Sequence, residues 1–261
     1  MAASKTYFVL TNFDLPPDGP IRLGSIIADP LEPEEILNPG DVVAISSHVH
    51  TSHKRDWDIT ESLQNGQVSV TARFLSSLRL DGTNGTGLDS EVTSRFSIQD
   101  VETLDFAPTQ DYIYEAVNKE SVRGYLEGCQ YELPVFMITG LKIGRGLAQR
   151  PNQQTPQEHA PLGGTSDFVI GYRLVRITAG EIQDQGREKQ EKSKVMGKML
   201  GDDDERDTDF GSLRITLTAH IDGGWEVAAH EIVGSKSVTA FDEDGNMECK
   251  CVVVPPSQSI E

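Results

Sequence analysis

The chain has 261 residues, and 41 acidic against 23 basic side chains give it a net charge of −18 and a pI near 4.7. That length allows one large domain or two small ones, and recurrent runs of Val, Ile, Leu and Phe exclude wholesale disorder. The acid surplus argues against a nucleic-acid partner and against unassisted binding to anionic membranes, since both need clustered Lys and Arg.

The N-terminal stretch through Tyr7-Phe8-Val9-Leu10 is too short for a signal-peptide core. No segment approaches the ~20 apolar residues of a spanning helix, so neither a leader nor a spanning helix is expected. Cys129, Cys249 and Cys251 form no spaced framework, which suits reduced thiols in a cytosolic protein. Asn84-Gly85-Thr86 fits a glycosylation sequon, but nothing else suggests secretion. Cys249-Lys250-Cys251 could accept acyl chains; the plainer expectation is an exposed tail strand with two ordinary thiols.

Strand signals dominate the chain. Tyr7 to Leu10 is a short strand closed by the turn-rich Asp14 to Pro20, and Leu23 to Ala28 is a second apolar run. Leu31 to Leu37 reads as a short helix or turn, and Asp41 to Ser46 as a strand. In Gln67 to Leu80, Val68, Val70, Ala72 and Phe74 alternate with polar residues, a period of two that predicts a strand. Residues 81–87 form a glycine-rich connector, and Glu91 to Ile98 alternates again.

Gln99 to Phe106 and Thr109 to Gly124 are expected as helices. Leu133 to Ile143 is apolar on both faces, a buried strand, and is followed by a loop rich in Gln, Pro and Gly from Gln149 to Gly164. Asp167 to Ile177 is a further strand. Glu181 to Leu200 is polar and Lys-rich, helical if ordered, and Asp202 to Glu205 is an acidic run. Leu213 to Ile221 and Trp225 to Val233, joined through Gly223-Gly224, predict a hairpin. The sum is one α+β domain over residues 1–261, mainly antiparallel, with a short tail from about residue 240.

The sharpest chemical feature is His48-Val49-His50-Thr51-Ser52-His53, placed after the expected strand Asp41 to Ser46. Metallo-β-lactamase-type hydrolases space His, His, Asp and His this way, but here Ser52 holds the Asp position. Three close imidazoles bind Zn²⁺ or Cu²⁺ readily, and further ligands would have to come from His159, His220 or His230. A metal-dependent hydrolase using His48, His50 and His53 is therefore one reading; a polar turn is the plainer one. The phosphate loop, the dinucleotide fingerprint and the nucleophile elbow are all absent, and Gly140 to Gly146 has the wrong glycine order. Asp202 to Glu205 lacks the features of a calcium loop. Neither catalysis nor a cofactor is expected, and a non-catalytic module with an acidic face is a third reading.

Phe8-Val9-Leu10-Thr11-Asn12-Phe13-Asp14 and Leu23 to Pro30 resemble the opening strands of the fungal gasdermin-like regulator-of-cell-death proteins of allorecognition. Pro134 to Ile143 resembles the central hydrophobic strand of that family, and Asp167 to Leu174 the strand after it. The likeness runs from Tyr7 to about Ile177.

The resemblance implies a gasdermin-type domain: a twisted antiparallel sheet flanked by helices, without a large C-terminal inhibitory domain. It further implies a chain that is cytoplasmic when inactive and forms plasma-membrane pores on activation, as a self-oligomer triggered by a less acidic partner variant. Only a closed barrel satisfies backbone groups in lipid, at ~9–11 alternating residues per strand. Inserting hairpins would come from Gln67 to Leu80 with Glu91 to Ile98, and from Tyr131 to Ile143 with Asp167 to Ile177. Val68, Val70, Phe74, Phe96, Val135, Met137, Phe168, Ile170 and Tyr172 would be their apolar positions. Alternation by itself implies no more than ordinary sheet strands.

Gasdermin-type domains engage acidic phospholipids through basic residues. The candidates here are Lys142, Arg145 and Arg150, and the group Arg187, Lys189, Lys192, Lys194 and Lys198. Asp202, Asp203, Asp204 and Glu205 are candidates for meeting a basic face of the partner chain.

Overall fold

The computed structural model of the chain describes residues 5–58, 68–77, 96–149, 167–182, 216–221, 227, 232, 237–242 and 247–255. The elements, in chain order, are β1 (Lys5–Val9), β2 (Ile26–Ile27), β3 (His50–Asp58), α1 (Val70–Ser77), β4 (Phe96–Asp105), α2 (Gln110–Val117) and α3 (Glu120–Gly128). They continue with β5 (Val135–Gln149), β6 (Phe168–Ile182), β7 (Thr216–Ile221), β8 (Ser237–Phe241) and β9 (Glu248–Val253). The architecture is α+β, with one mostly antiparallel sheet and few helices.

The sheet runs β3-β4-β5-β6-β1-β9-β8, with β2 added to β5 and β7 to β6. One pairing is parallel: β9 lies beside β1 with Lys5 opposite Cys249 and Val9 opposite Val253. The long strands β5 and β6 form the centre, and their period-free apolar sequences follow from burial on both faces. On one face, α1 sets Phe74 against Phe168 in a stacked pair, with Phe13 edge-on to both. Tyr172 stacks on Phe8 in the same core and donates its hydroxyl to the Pro30 carbonyl at 2.6 Å. A second cluster gathers Val135, Met137, Val175 and Ile177 under Ile113, Ala116, Val117, Val122 and Leu126 of α2 and α3. Val175 and Ile177 are an odd number of residues from Tyr172, so the second cluster occupies the opposite face of β6.

Several segments differ from their sequence-based expectation. Val70–Ser77 is a helix, not a strand. Its apolar residues satisfy both periods over so short a length, and packing decides: Val70, Thr71, Ala72, Phe74 and Leu75 are all buried, and Ser69 Oγ accepts the Ala72 N–H at 3.1 Å as a cap. Gln99 to Phe106, expected as a helix, falls as far as Asp105 in strand β4, held between β3 and β5 by ladders on both sides. The helix expected over Thr109 to Gly124 is two, α2 and α3, broken at Asn118-Lys119, with Thr109 Oγ1 capping the first by accepting the Tyr112 N–H at 3.2 Å.

Asp41 to Ser46 pairs with no strand. Its Val43 is buried instead, and the Val43 carbonyl accepts the Tyr112 hydroxyl at 2.8 Å. Leu23 to Ala28 contributes only the two residues of β2. The histidine-rich stretch is not a turn, because His50 opens the nine-residue strand β3. Cys249 and Cys251 are not on an exposed tail; both are buried, on a strand inside the sheet.

A line of irregular backbone crosses three neighbouring strands. Pairing skips Asp56 and Gln99 between β3 and β4, and Gln99 and Gly146 between β4 and β5. Asp56 and Gly146 both have left-handed φ, 50° and 65°, and a Cβ on Gly146 would meet the Gln99 Cβ at 2.8 Å. The strands crease there, and beyond the crease Trp57, Ile98 and Leu147 are turned into the core.

Candidate functional site

Two features combine unusual side chains with defined geometry. The first is the contiguous ribbon β3-β4-β5-β6, whose strands have 9, 10, 15 and 15 residues. It carries most of the expected insertion positions. Val135, Met137, Phe168, Ile170 and Tyr172 are buried on β5 and β6, while Val70 and Phe74 are buried on α1 instead of a strand. Val68 precedes α1 and packs against the same core. Phe96 begins β4.

The second feature is a partly enclosed cavity of about 120 Å³ on the sheet face opposite Phe74 and Tyr172. It forms because β-strand pairing aligns residues of several strands: His50 faces Asp105, Ser52 faces Thr103, and Thr103 faces Lys142. Lys142, expected as a lipid contact, is only 1% exposed and lines this cavity. Its ammonium donates to Thr103 Oγ1 at 3.0 Å and stands 5.1 Å from the Tyr7 ring centre, a cation–π distance. Arg173 approaches the same ring at 5.9 Å and pairs with Asp105 at 3.6 Å. Lys5 and Lys54 add further cations to the lining, and Asp105 and Asp242 are its carboxylates. Burial depresses the Lys5 pKa, and the neighbouring Arg173 and Lys142 charges push it the same way against the opposing pull of Asp105 and Asp242.

The imidazoles do not converge. His48 lies before β3, and His50 and His53, three apart on that strand and both bordering the cavity, turn to different carboxylates. His50 stands 4.0 Å from Asp105, whereas His53 bonds Asp100 at 3.0 Å and lies 3.9 Å from Glu102. Among the described residues no group of three or more His, Cys, Asp or Glu is placed to hold a metal ion. Arg145 is tied down as well, with Nη2 donating to Glu102 at 2.6 Å and Nη1 to Asp167. The Glu102 bond is the main cause that raises its pKa further.

Arg150, Arg187, Lys189, Lys192, Lys194, Lys198 and Asp202 to Glu205 lie outside the described residues, as do His159, His230 and, apart from Val227 and Ile232, the return strand of the expected last hairpin. The cavity itself escapes sequence reasoning because Lys5, Lys142 and Arg173 are far apart in the chain. The only local hint is that basic residues interrupt two largely apolar strands, Lys142 and Arg145 in β5 and Arg173 and Arg176 in β6.

Neither a protein-family model nor a curated protein matches the chain.

Proposed function

We propose that this chain is a gasdermin-like cell-death effector: a protein that waits in the cytoplasm, oligomerises with a less acidic variant of itself, and inserts β-hairpins into the plasma membrane as a pore. The observation that carries the reading is α1. Its sequence alternates with a strand's period of two yet is folded as a helix against β6. A segment compatible with both forms suits a chain that keeps apolar strands covered before insertion and extends them afterwards.

The sequence likeness over Tyr7 to Ile177 supports the same reading, and so do the strand lengths. Insertion needs ~9–11 residues per strand, and β5 and β6 have 15 each. Phe168, covered by Phe74 of α1, would turn to lipid once α1 leaves, together with Ile170 and Tyr172, which are buried on the same strand. Backbone groups then remain satisfied only if neighbouring copies close a barrel. The net charge of −18 opposes assembly of identical copies and favours a partner of lower charge.

The test is dye release from liposomes containing acidic phospholipids, with the protein alone and mixed with a less acidic variant. Release is expected from the mixture, accompanied by loss of helical and gain of strand circular dichroism. Intact liposomes under both conditions would overturn the reading.

A further inference from the structure

Within a chain of net charge −18, the cavity beside Tyr7 gathers positive charge. Lys5, Lys54 and Lys142 line it, and Arg173 reaches its Tyr7 wall, against the carboxylates Asp105 and Asp242. Asp105 is itself shared, at 3.6 Å from Arg173 and 4.0 Å from His50. Hydroxyl donors stand among these charges: Ser52 and Thr103 are directly opposite each other on β3 and β4.

Five strands therefore send donors to one cavity, the β1 strand with Lys5, β3 with His50, Ser52 and Lys54, β4 with Thr103, β5 with Lys142, and β6 with Arg173 beside it. Burying an ammonium as deeply as Lys142 costs several kcal/mol before compensation. Asp105, 3.6 Å from Arg173, and Asp242 supply part of that compensation, and the lining still sets three ammonium groups, Lys5, Lys54 and Lys142, against two carboxylates. Such an arrangement of ammonium, guanidinium and hydroxyl donors is the chemistry that recognises a phosphate-type oxyanion. The volume sets the size. At about 120 Å³ the cavity has room for one tetrahedral oxyanion, since ~10–15 Å³ on the same measure already holds a water.

We propose that this cavity is a binding site for a single phosphate-type dianion, with Lys142 at its floor and Lys5, His50 and Lys54 at its mouth. Bound there, the dianion takes charge-assisted hydrogen bonds from Lys142 and Lys5 and hydroxyl bonds from Ser52 and Thr103. It also offsets the mutual repulsion of Lys5, Lys142 and Arg173. The inference stands apart from pore formation, because it needs no membrane and no second copy.

The experiment is calorimetric titration of the full chain with inorganic phosphate at constant ionic strength, with chloride as the control. One saturable site is expected for phosphate and none for chloride. Lys54→Gln and His50→Gln alter exposed or half-exposed residues, and each is expected to weaken binding about tenfold, the loss of one charge-assisted bond. Lys142→Met, with folding checked by its melting transition, is expected to abolish it. If that variant does not fold, the two mouth variants still decide.

Phosphatidylcholine vesicles, with and without a phosphatidylinositol phosphate, separate the sources. Displacement of bound phosphate only by the phosphoinositide vesicles assigns the ligand to a lipid headgroup, and no displacement assigns it to a soluble phosphate. Absence of saturable phosphate binding, equal binding of chloride, or binding unchanged by both mouth variants would overturn the proposal.

Discussion

Tyr112 illustrates how one residue ties distant segments together. From α2 it donates to the Val43 carbonyl, packs edge-on to Phe106, and closes over Gly24, whose φ of 83° and missing Cβ leave room for the hydroxyl. Burial, with the Glu115 charge second, pushes its pKa up to about 12. The unfolded phenol ionises near 10, so the native state keeps a proton that the unfolded state has lost between about pH 10 and 12. The stability contribution is full below about pH 10 and disappears as pH rises through about 12. Tyr172, raised well above its ordinary value by burial, acts with the same sign. Thermal melting across this range should show a steep alkaline loss of stability. Tyr112→Phe should flatten it, at a neutral-pH cost of about 1–3 kcal/mol for the stranded Val43 carbonyl. An unchanged alkaline slope in that variant would contradict the assignment.

At the scale of elements, α1 and β4 show where a period-based reading succeeds and where it fails. The strands β5 and β6 were legible because Val135 to Ile138 and Phe168 to Ile170 are apolar on both faces, a pattern that buried central strands require. The α1 segment misleads because Val70 and Phe74 are two and four apart from Ala72 and Val70 in a way that serves a strand and a helix alike. Contacts with Phe13 and Phe168, remote in sequence, decide the outcome. β4 misleads for a related reason: Asp100, Glu102 and Asp105 are polar enough to look helical, yet each answers a residue on a neighbouring strand, His53, Arg145 and His50 in turn. Phe74→Ala, which empties the space between Phe13 and Phe168, should lower stability by about 3–5 kcal/mol in a denaturant melt. A loss below ~1 kcal/mol would mean that α1 contributes little to the folded state.

For the molecule as a whole, the parallel addition of β9 to β1 matters most, since it joins the two ends of the described chain into one sheet. Sequence gives poor access to such a pairing, because β1 and β9 are separated by nearly the full chain and carry no local signal for each other. The same separation hid the cavity, whose walls come from both ends of the molecule. Burial of Cys249 and Cys251 in this junction, against a partly exposed Cys129, predicts unequal thiol chemistry. An aromatic disulfide reagent should modify one thiol rapidly under native conditions and all three in denaturant. Three fast thiols in the native protein would mean that β9 is not held in the sheet.

The crease through Asp56, Gln99 and Gly146 bears on a hazard common to open sheets. Within the described residues, β3 stands at one end of the strand order, with a row of backbone donors and acceptors available to a passing chain. The left-handed residue Asp56 divides that row into His50 to Arg55 and a short end in which Trp57 is turned into the core. An intruding strand therefore meets a template of six residues, four of them His, Lys or Arg, rather than a flat one of nine. The bend that curls the sheet over its core also guards that margin against amyloid-like growth.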